Sequence, residues 1–310
     1  MEKKITPLKA DLLLLIVALL WGSSYVVVKG TIDVLDSSHL IFYRFTIASI
    51  LSLIFYGKYL KNATKGELFA GVFLGALLAA GIIFSATGLK YTTVSKNSFI
   101  VSINVVLVPF VYWLVSKKKP SSMSFIAVFL TFIGLAFLTL DFKTGFNINK
   151  GDLITFGCCI FYAGHIVYGE VYSKKYNPVL INTISMITAA LIGVILILVK
   201  KDVGFAIPPS SFSSMMYLGV FTTFICFTLQ LFAQKYTIAT HAAIIISLES
   251  VFATTFAVIL IGEVITLKMA VGCLFIFTSV LVSEMGDLLL NLYKTKKELK
   301  NCPENNGSDN

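Results

Sequence analysis

Ten apolar stretches, each long enough to cross a membrane, set the strongest limit on how this chain can fold. They occupy residues 11–29, 37–57, 66–86, 93–115, 122–140, 151–170, 179–199, 212–234, 240–262 and 268–290. About twenty apolar residues in a helix span the hydrocarbon core of a bilayer. Hydrophobic residues make up 57% of the chain and charged residues 13%, too few to cover a water-soluble globule. We therefore predict an all-α, polytopic membrane protein with ten transmembrane helices.

The lysines that flank these stretches predict how the chain is oriented. With the amino terminus inside, sixteen lysines flank the inner ends and eight flank the outer ends. Cytoplasmic loops of membrane proteins carry such an excess of positive charge, so we expect both termini in the cytoplasm. The abundance of lysine favours a bacterial chain and hence the bacterial inner membrane. Because the net charge of +9 is spread over these loops, we expect no nucleic-acid partner.

The segments between the stretches are short. We predict a cytoplasmic amino terminus at residues 1–10, an outer linker at 141–150 and a disordered cytoplasmic tail at 291–310, which is polar and has nothing to bury. The remaining parts, 11–140 and 151–290, each contain five predicted spans.

These two parts repeat one another. Asp11-Leu12 at the start of the first span recurs as Asp152-Leu153, and Lys90-Tyr91-Thr92 recurs as Lys235-Tyr236-Thr237 before the ninth span. Since each part has five spans, an odd number, the second part must cross the membrane in the opposite sense. We therefore predict two inverted five-helix repeats, an arrangement typical of secondary transporters whose halves rock against each other.

One carboxylate, Glu249, lies near the middle of the ninth stretch. A charged group at the centre of a bilayer costs about 2.5–3.5 kcal/mol on insertion scales, so it normally faces a polar interior. The register that aligns Lys90 with Lys235 aligns Asn104 with Glu249, and Asn97 lies seven residues before Asn104. Asn97 and Asn104 should therefore share one helix face.

Two interpretations of these residues stay open. Glu249 could exchange a proton or bind an ammonium group during transport, or it could stay protonated and hydrogen-bond a neighbouring helix. Asn97 and Asn104 could flank a midplane cavity together with Glu249, or they could hold helices together through hydrogen bonds.

Aromatic and polar side chains recur at helical spacing on the first and sixth spans, and Gln230 lies on a polar face of the eighth. Such side chains can shape an amphipathic pocket, because an aromatic ring offers an apolar face and a hydrogen-bonding tip. The alternative is packing between helices. The candidate substrate-binding residues are Trp21, Ser24, Tyr25, Asn97, Asn104, Tyr162, His165, Gln230 and Glu249.

Arg44 is the only arginine and lies about seven residues into the second span. It could extend to the outer membrane boundary as an anchor, or its planar fork could bind a carboxylate. The sequence leaves both roles open. Elsewhere, Gly71, Gly75 and Ala79 are four residues apart, a spacing that permits close helix approach.

The cysteines and histidines do not form a metal site in the sequence. Their spacing matches neither a zinc pair nor a two-histidine motif, so we expect no metal and no cofactor. No phosphate-cradling loop is present, so ATP is not expected to drive the protein.

Several short motifs are distributed over both halves of the sequence. They are Trp21-Gly22-Ser23-Ser24-Tyr25, Tyr43-Arg44-Phe45, Gly88-Leu89-Lys90-Tyr91-Thr92-Thr93, Leu248-Glu249-Ser250-Val251-Phe252 and Gly262-Glu263. Together they resemble the EamA-type family of the drug/metabolite transporter superfamily. The resemblance covers residues 11 to about 285. The sequence departs from the family's pattern in two places. Ser250 stands where many members have a proline, which leaves a kink there open, and Lys117-Lys118 stands where the second half has Gly262-Glu263.

The resemblance implies a secondary transporter, an exporter of small metabolites such as amino acids, with a central cavity built from both repeats. Its partners would be a small-molecule substrate and the lipid bilayer, with a homodimer as a further option. Proton coupling through Glu249 is the leading hypothesis and uncoupled diffusion the alternative. A lipid-modifying membrane enzyme would need clustered acidic or histidine residues, which the sequence lacks, so we do not expect an enzyme.

Overall fold

The computed structural model describes residues 6–139, 149–201, 207–264, 266–268 and 270–282. Within these residues the chain is helical and has no strand, which confirms the all-α class. The helices are α1 (Pro7–Ile32), α2 (Ser37–Tyr56), α3 (Lys65–Leu89), α4 (Val94–Ser102), α5 (Asn104–Ser116), α6 (Ser122–Thr139), α7 (Lys150–Lys175), α8 (Pro178–Lys200), α9 (Phe212–Tyr217), α10 (Cys226–Gln234), α11 (Ala239–Ile246), α12 (Glu249–Ile261) and α13 (Ala270–Val282). A π-helical segment, Leu218–Ile225, joins α9 to α10.

Eight segments among the described residues are long and apolar enough to cross a membrane. Four of them consist of consecutive helices, namely α2 with the 3₁₀-helix Gly57–Asn62, α4 with α5, α9 with α10, and α11 with α12. The apolar part Ser122–Gly134 of α6 and the helix α13 (Ala270–Val282) are shorter. The predicted total of ten spans therefore stays a prediction. The predicted tail and most of the predicted linker lie outside the described residues.

Contacts at the helix ends show that the two halves run in opposite senses. We call the end of the bundle where α1 begins the near end and the opposite end the far end. Lys29, in the last turn of α1, donates hydrogen bonds to the carbonyl oxygens of Leu89 and Thr92 at 3.0 and 3.1 Å, so α3 also ends at the far end. Asp152, in the first turn of α7, accepts a hydrogen bond from the Thr92 hydroxyl at 3.0 Å. Since α7 begins where α1 ends, the repeats are inverted as predicted.

A charged cluster holds three helix ends together at the far end. Asp36 caps α2 by accepting from the Ser38 amide, and its carboxylate pairs with Lys90 at 3.0 Å and with Lys200 at 2.6 Å. Partial burial alone would raise the pKa of Asp36, but hydrogen bonds from Lys200, Lys90 and Ser38 hold that pKa well below its usual range. Because the folded-state pKa is depressed, the cluster stabilises the protein above the usual carboxyl pKa of about 3.9 and weakens only as the pH falls below it.

Two of the predicted spans are interrupted at equivalent positions. The span predicted at 93–115 breaks at Ile103, and the span predicted at 240–262 breaks at Ser247 and Leu248. Ile103 and Leu248 correspond in the repeat and have nearly the same backbone angles, φ −59° with ψ −18° and φ −60° with ψ −15°. The helix of the second half is therefore interrupted next to Glu249 although proline is absent there.

Side chains contact carbonyl groups beside both interruptions. The Asn104 amide donates to the Val101 carbonyl at 2.8 Å, and the Cys159 thiol contacts the Ile100 carbonyl at 2.9 Å. In the second half, the Ser247 hydroxyl donates to the Ile244 carbonyl at 2.6 Å. Such partners are required because irregular backbone at membrane depth is tolerated only where protein or water satisfies it.

Glycines allow helices to approach closely at two interfaces. A Cβ atom on Gly71 would lie 2.5 Å from the Ile184 Cβ, and one on Gly75 would lie 2.5 Å from the Ser185 carbonyl oxygen, so the predicted small-residue face packs against α8. On α1, a Cβ atom on Gly22 would lie 2.4 Å from the Phe252 Cβ and 3.0 Å from the Glu249 carbonyl oxygen. Gly22 thereby permits the contact between α1 and the beginning of α12.

We predict that Gly22→Ala destabilises the protein by about 1–3 kcal/mol, the usual cost of overpacking a filled interface. Gly30→Ala is the matched control, because it lies on the same helix and a Cβ atom there meets nothing within 4 Å. Thermal unfolding of both purified variants in detergent measures the difference. Equal melting temperatures would show that α12 can move away from α1 without cost.

At the near end, the side chain of Glu170 joins α7 to α11. Glu170, near the end of α7, is 3% exposed, accepts a hydrogen bond from the Ala239 amide at 2.6 Å and pairs with Lys174. Glu170 follows Asp152 by the same 18 residues that separate Lys29 from Asp11, so Glu170 and Lys29 are equivalent in the repeat. Lys29 joins the end of α1 to the segment that precedes α4, and Glu170 joins the end of α7 to the first residue of α11.

Glu170→Ala should lower the free energy of unfolding by about 1–3 kcal/mol, because it leaves the buried Ala239 amide without an acceptor. Glu170→Gln keeps an acceptor oxygen and should cost less. Chemical or thermal unfolding of the two variants beside the wild type tests this. If both substitutions had equal effects, the ion pair with Lys174 would be the stabilising contact instead.

Candidate functional site

A cavity of about 730 Å³, its mouth included, lies where the two repeats meet. Helices of both halves supply its walls. The lining residues are Trp21, Ser24, Tyr25, Val28, Leu40, Arg44, Ile82, Ser85, Ala86, Leu89, Val101, Asn104, Tyr162, His165, Ile166, Phe227, Gln230, Ile246 and Glu249.

The cavity extends from the middle of the bundle toward the far end. Val28 lies one turn before the end of α1, Leu40 lies in the first turn of α2, and Leu89 is the last residue of α3. On the near side, a cluster of small and aliphatic side chains from α1, α10 and α11 closes the bundle. Its buried members are Ala10, Leu14, Ala233, Ala242, Ile245 and Ile246.

Eight of the nine predicted site residues line this cavity, and Asn97 does not. The Asn97 amide donates to the Ser85 carbonyl at 3.2 Å and to the Thr155 hydroxyl at 2.8 Å, and its oxygen accepts from the Ser85 hydroxyl at 3.3 Å. Asn97 thus joins α4 to α3 and α7. The seven-residue spacing to Asn104 could not show that Ser85 and Thr155 occupy the hydrogen-bonding groups of Asn97.

Glu249 is the first residue of α12 and is 4% exposed. Its carboxyl oxygen Oε1 accepts a hydrogen bond from the Tyr25 hydroxyl at 3.3 Å. In the part of the chain that the structure describes, no side-chain nitrogen of Lys, Arg or His lies within 4.0 Å of its carboxyl oxygens, so it forms no ion pair there.

Asn104 occupies the equivalent place in the first half, as the first residue of α5. Its side chain lines the cavity while its amide group remains bonded to Val101. The two interrupted helices therefore bring a neutral amide and a carboxyl group to one cavity.

Three aromatic rings lie together within the cavity wall. The Phe227 ring lies 5.0 Å from the Trp21 ring and 5.8 Å, edge to face, from the His165 ring. The aromatic residues on α1 and α7 were expected from helical spacing, whereas Phe227 was not. One helical turn separates Phe227 from Gln230 on α10, and this spacing was the available signal.

Gln230 is the most unusual polar group in the wall. It is 1% exposed, and among the described residues neither its Oε1 nor its Nε2 atom has a hydrogen-bond partner. A buried polar group without a partner costs about 1–3 kcal/mol, so such groups in native proteins call for a ligand, a water or a functional explanation.

Arg44 is a wall residue and does not anchor the protein at the membrane boundary. It is 6% exposed and points from α2 toward the π-helical segment. The sequence could not decide between the two directions because both lie within reach of a long side chain. Among the described residues, no group of three or more His, Cys, Asp or Glu side chains could hold a metal ion.

Comparisons with known proteins agree with this architecture. The EamA-like transporter family matches residues 8–140 and 149–285, once in each half. An uncharacterized transporter of Archaeoglobus fulgidus is 33% identical over 276 residues, which cover 89% of this chain and 85% of that protein. The uncharacterized transporter YyaM of Bacillus subtilis is 22% identical over 289 residues, covering 89% and 93% of the two chains.

A solved crystal structure superposes with a TM-score of 0.70 at 14% identity and covers 89% of this chain and 98% of that chain. At this identity the likeness supports the fold alone. The family match extends over both repeats, and the cavity lies at their junction. The chain therefore belongs to the EamA-like transporter family and is a multi-pass membrane transporter, not an enzyme.

Proposed function

We propose that this chain is a secondary transporter that exports small metabolites such as amino acids by alternating access, with proton coupling at Glu249. The lysine distribution supports a cytoplasmic near end and an inner-membrane location. The proposed substrate-binding residues are the eight predicted residues that line the cavity.

The observation that carries the proposal is the buried carboxyl group of Glu249 in a cavity shared by two inverted repeats. Discontinuous helices at a repeat interface are where secondary transporters bind substrates and coupling ions. A carboxyl group at such depth that lacks a cation partner among the described residues can alternate between its neutral and charged forms. It can therefore take up a proton from one side and release it to the other.

The amphipathic wall suits a substrate of mixed character. Trp21, Phe227 and Ile82 offer apolar surface, whereas Gln230 and Asn104 offer amide groups. An amino acid with an aliphatic or aromatic side chain presents matching groups. Movement of the repeats relative to each other would close the far end and open the near end, where the cluster around Leu14 and Ile245 now packs.

We expect Glu249→Gln to remove the effect of a pH gradient on transport, because an amide cannot exchange a proton at accessible pH. In proteoliposomes loaded with an amino acid, gradient-driven flux should fall about tenfold or more, which corresponds to about 1.4 kcal/mol or more. Glu67→Gln is the control, since Glu67 caps α3 at the near end outside the cavity and glutamine also serves in a capping box.

A wild-type flux that is equal with and without a pH gradient would favour the alternative function, an uncoupled facilitator of the same substrates. Unchanged gradient-driven flux in Glu249→Gln would instead place coupling at another residue. Flux from the cytoplasmic to the outer side that does not exceed the reverse flux under a physiological gradient would contradict export.

Gln230→Met should leave stability unchanged or higher and should weaken substrate binding. The free protein loses an unpaired polar group, whereas the substrate loses a hydrogen bond of about 0.5–1.5 kcal/mol, or about 2- to 10-fold in KM. Gln234→Met is the matched control, because Gln234 donates to the Ile166 carbonyl at 3.1 Å and is not a lining residue. It should lower the melting temperature and leave KM unchanged. The reverse pattern would exclude Gln230 from substrate binding.

A further inference from the structure

The guanidinium group of Arg44 is held against the π-helical segment by neutral acceptors. Its Nε donates to the Thr223 hydroxyl, and its Nη2 donates to the Thr222 hydroxyl at 3.1 Å and to the Thr222 carbonyl at 3.2 Å. The same carbonyl accepts from the Trp21 indole at 2.9 Å. π-Helical turns occur frequently at functional sites.

These contacts leave the charge of Arg44 unbalanced. Arginine stays charged at any accessible pH. In the described ranges, no carboxyl oxygen of Asp or Glu lies within 4.0 Å of its guanidinium nitrogens, so Arg44 forms no ion pair there. Isolated ions are expensive at membrane depth, where ionisable residues normally pair or face a substrate pathway. A buried cation at the wall of a cavity thus lacks the anion that its position requires.

The geometry also fixes how an anion could approach. Thr222 and Thr223 occupy the Nε and Nη2 side of the planar fork, and the hydrogen bonds among the described residues leave Nη1 for another acceptor. Because the side chain is already held in place, little of its conformational entropy would be lost on binding. Arg44 is also one turn from Leu40, whose side chain lines the part of the cavity nearer the far end.

We infer that Arg44 is the anion-binding residue of the cavity and that the transported molecules carry a carboxylate, which binds at Arg44 while their apolar part contacts the aromatic and aliphatic wall. This inference rests on the proposed transport function and adds a requirement to it. Cationic amines without a carboxylate should be poor ligands even though Glu249 faces the same cavity.

Two matched series of compounds test the requirement on the purified wild-type protein. Each series contains an amino acid, the amine that lacks its carboxylate and the acid that lacks its amino group. The first is L-phenylalanine, phenethylamine and 3-phenylpropanoate, and the second is L-leucine, 3-methylbutylamine and 4-methylpentanoate. Ligand-dependent thermal stabilisation reports binding to the folded state. In at least one series, we expect stabilisation by the amino acid and the acid and none by the amine.

Substitutions then identify the residue. Arg44→Gln should weaken binding of the carboxylates about tenfold or more, because charge-assisted hydrogen bonds are about twice as strong as neutral ones, and Arg44→Lys should retain part of the affinity. Lys90→Gln removes a positive charge from the far-end cluster outside the cavity and should leave affinity unchanged. If Arg44→Gln does not fold, the comparison of acid with amine on the wild type still decides.

The inference is overturned if an amine stabilises the wild type as strongly as its acid, if no carboxylate stabilises it, or if Arg44→Gln binds carboxylates as the wild type does. Transport measurements separate this failure from failure of the proposed function. Amine flux that is equal in wild type and Arg44→Gln proteoliposomes would keep the transporter and remove the anion site. Flux no faster than in empty liposomes for every compound would contradict the proposed transport of these substrates.

Discussion

The need to satisfy every backbone group inside a bilayer governs the arrangement of this protein. A continuous helix meets that need by itself, but an interrupted helix requires neighbours that supply the missing partners. Beside the interruptions, the Asn104 side chain and the Cys159 thiol contact carbonyl groups of the first half, and the Ser247 hydroxyl does so in the second half. The cavity is lined next to these interruptions by Val101, Asn104, Ile246 and Glu249. Its polar character at this place comes from the side chains of Asn104 and Glu249.

Hydropathy alone could predict most of the helices, because the length of an apolar stretch is a property of the sequence. The second span was expected at 37–57 and is found at Ser37–Tyr56, and the seventh span was expected at 179–199 and is found as α8 at Pro178–Lys200. The breaks at Ile103 and Leu248 could not be predicted in this way, since the residues around them remain apolar. The π-helical segment Leu218–Ile225 is likewise stabilised by side chains from other helices, including Trp21 and Arg44.

The candidate site was predictable to the extent that it depends on repeat register and helical spacing. Register related Asn104 to Glu249, and spacing on one helix related Trp21 to Tyr25. Neither can specify how a helix is rotated about its axis or what it meets across an interface. The role of Arg44 was left undecided because the rotation of α2 about its axis was not known. Asn97 was misplaced for the second reason, since Ser85 and Thr155 occupy its hydrogen-bonding groups.

Inverted repeats share a backbone plan but meet different electrical environments, because their equivalent ends face opposite sides of the membrane. Lys29 and Glu170 are equivalent and make equivalent connections, yet one donates to carbonyl groups and the other accepts from an amide. The exchange of sign is possible because a helix connection exposes both kinds of backbone group. Asn104 and Glu249 differ in the same manner at the cavity. The repeat therefore places polar side chains at equivalent positions, while the charge at each position is free to vary. In the interrupted helices that line the cavity, only the second repeat contributes an ionisable group, Glu249.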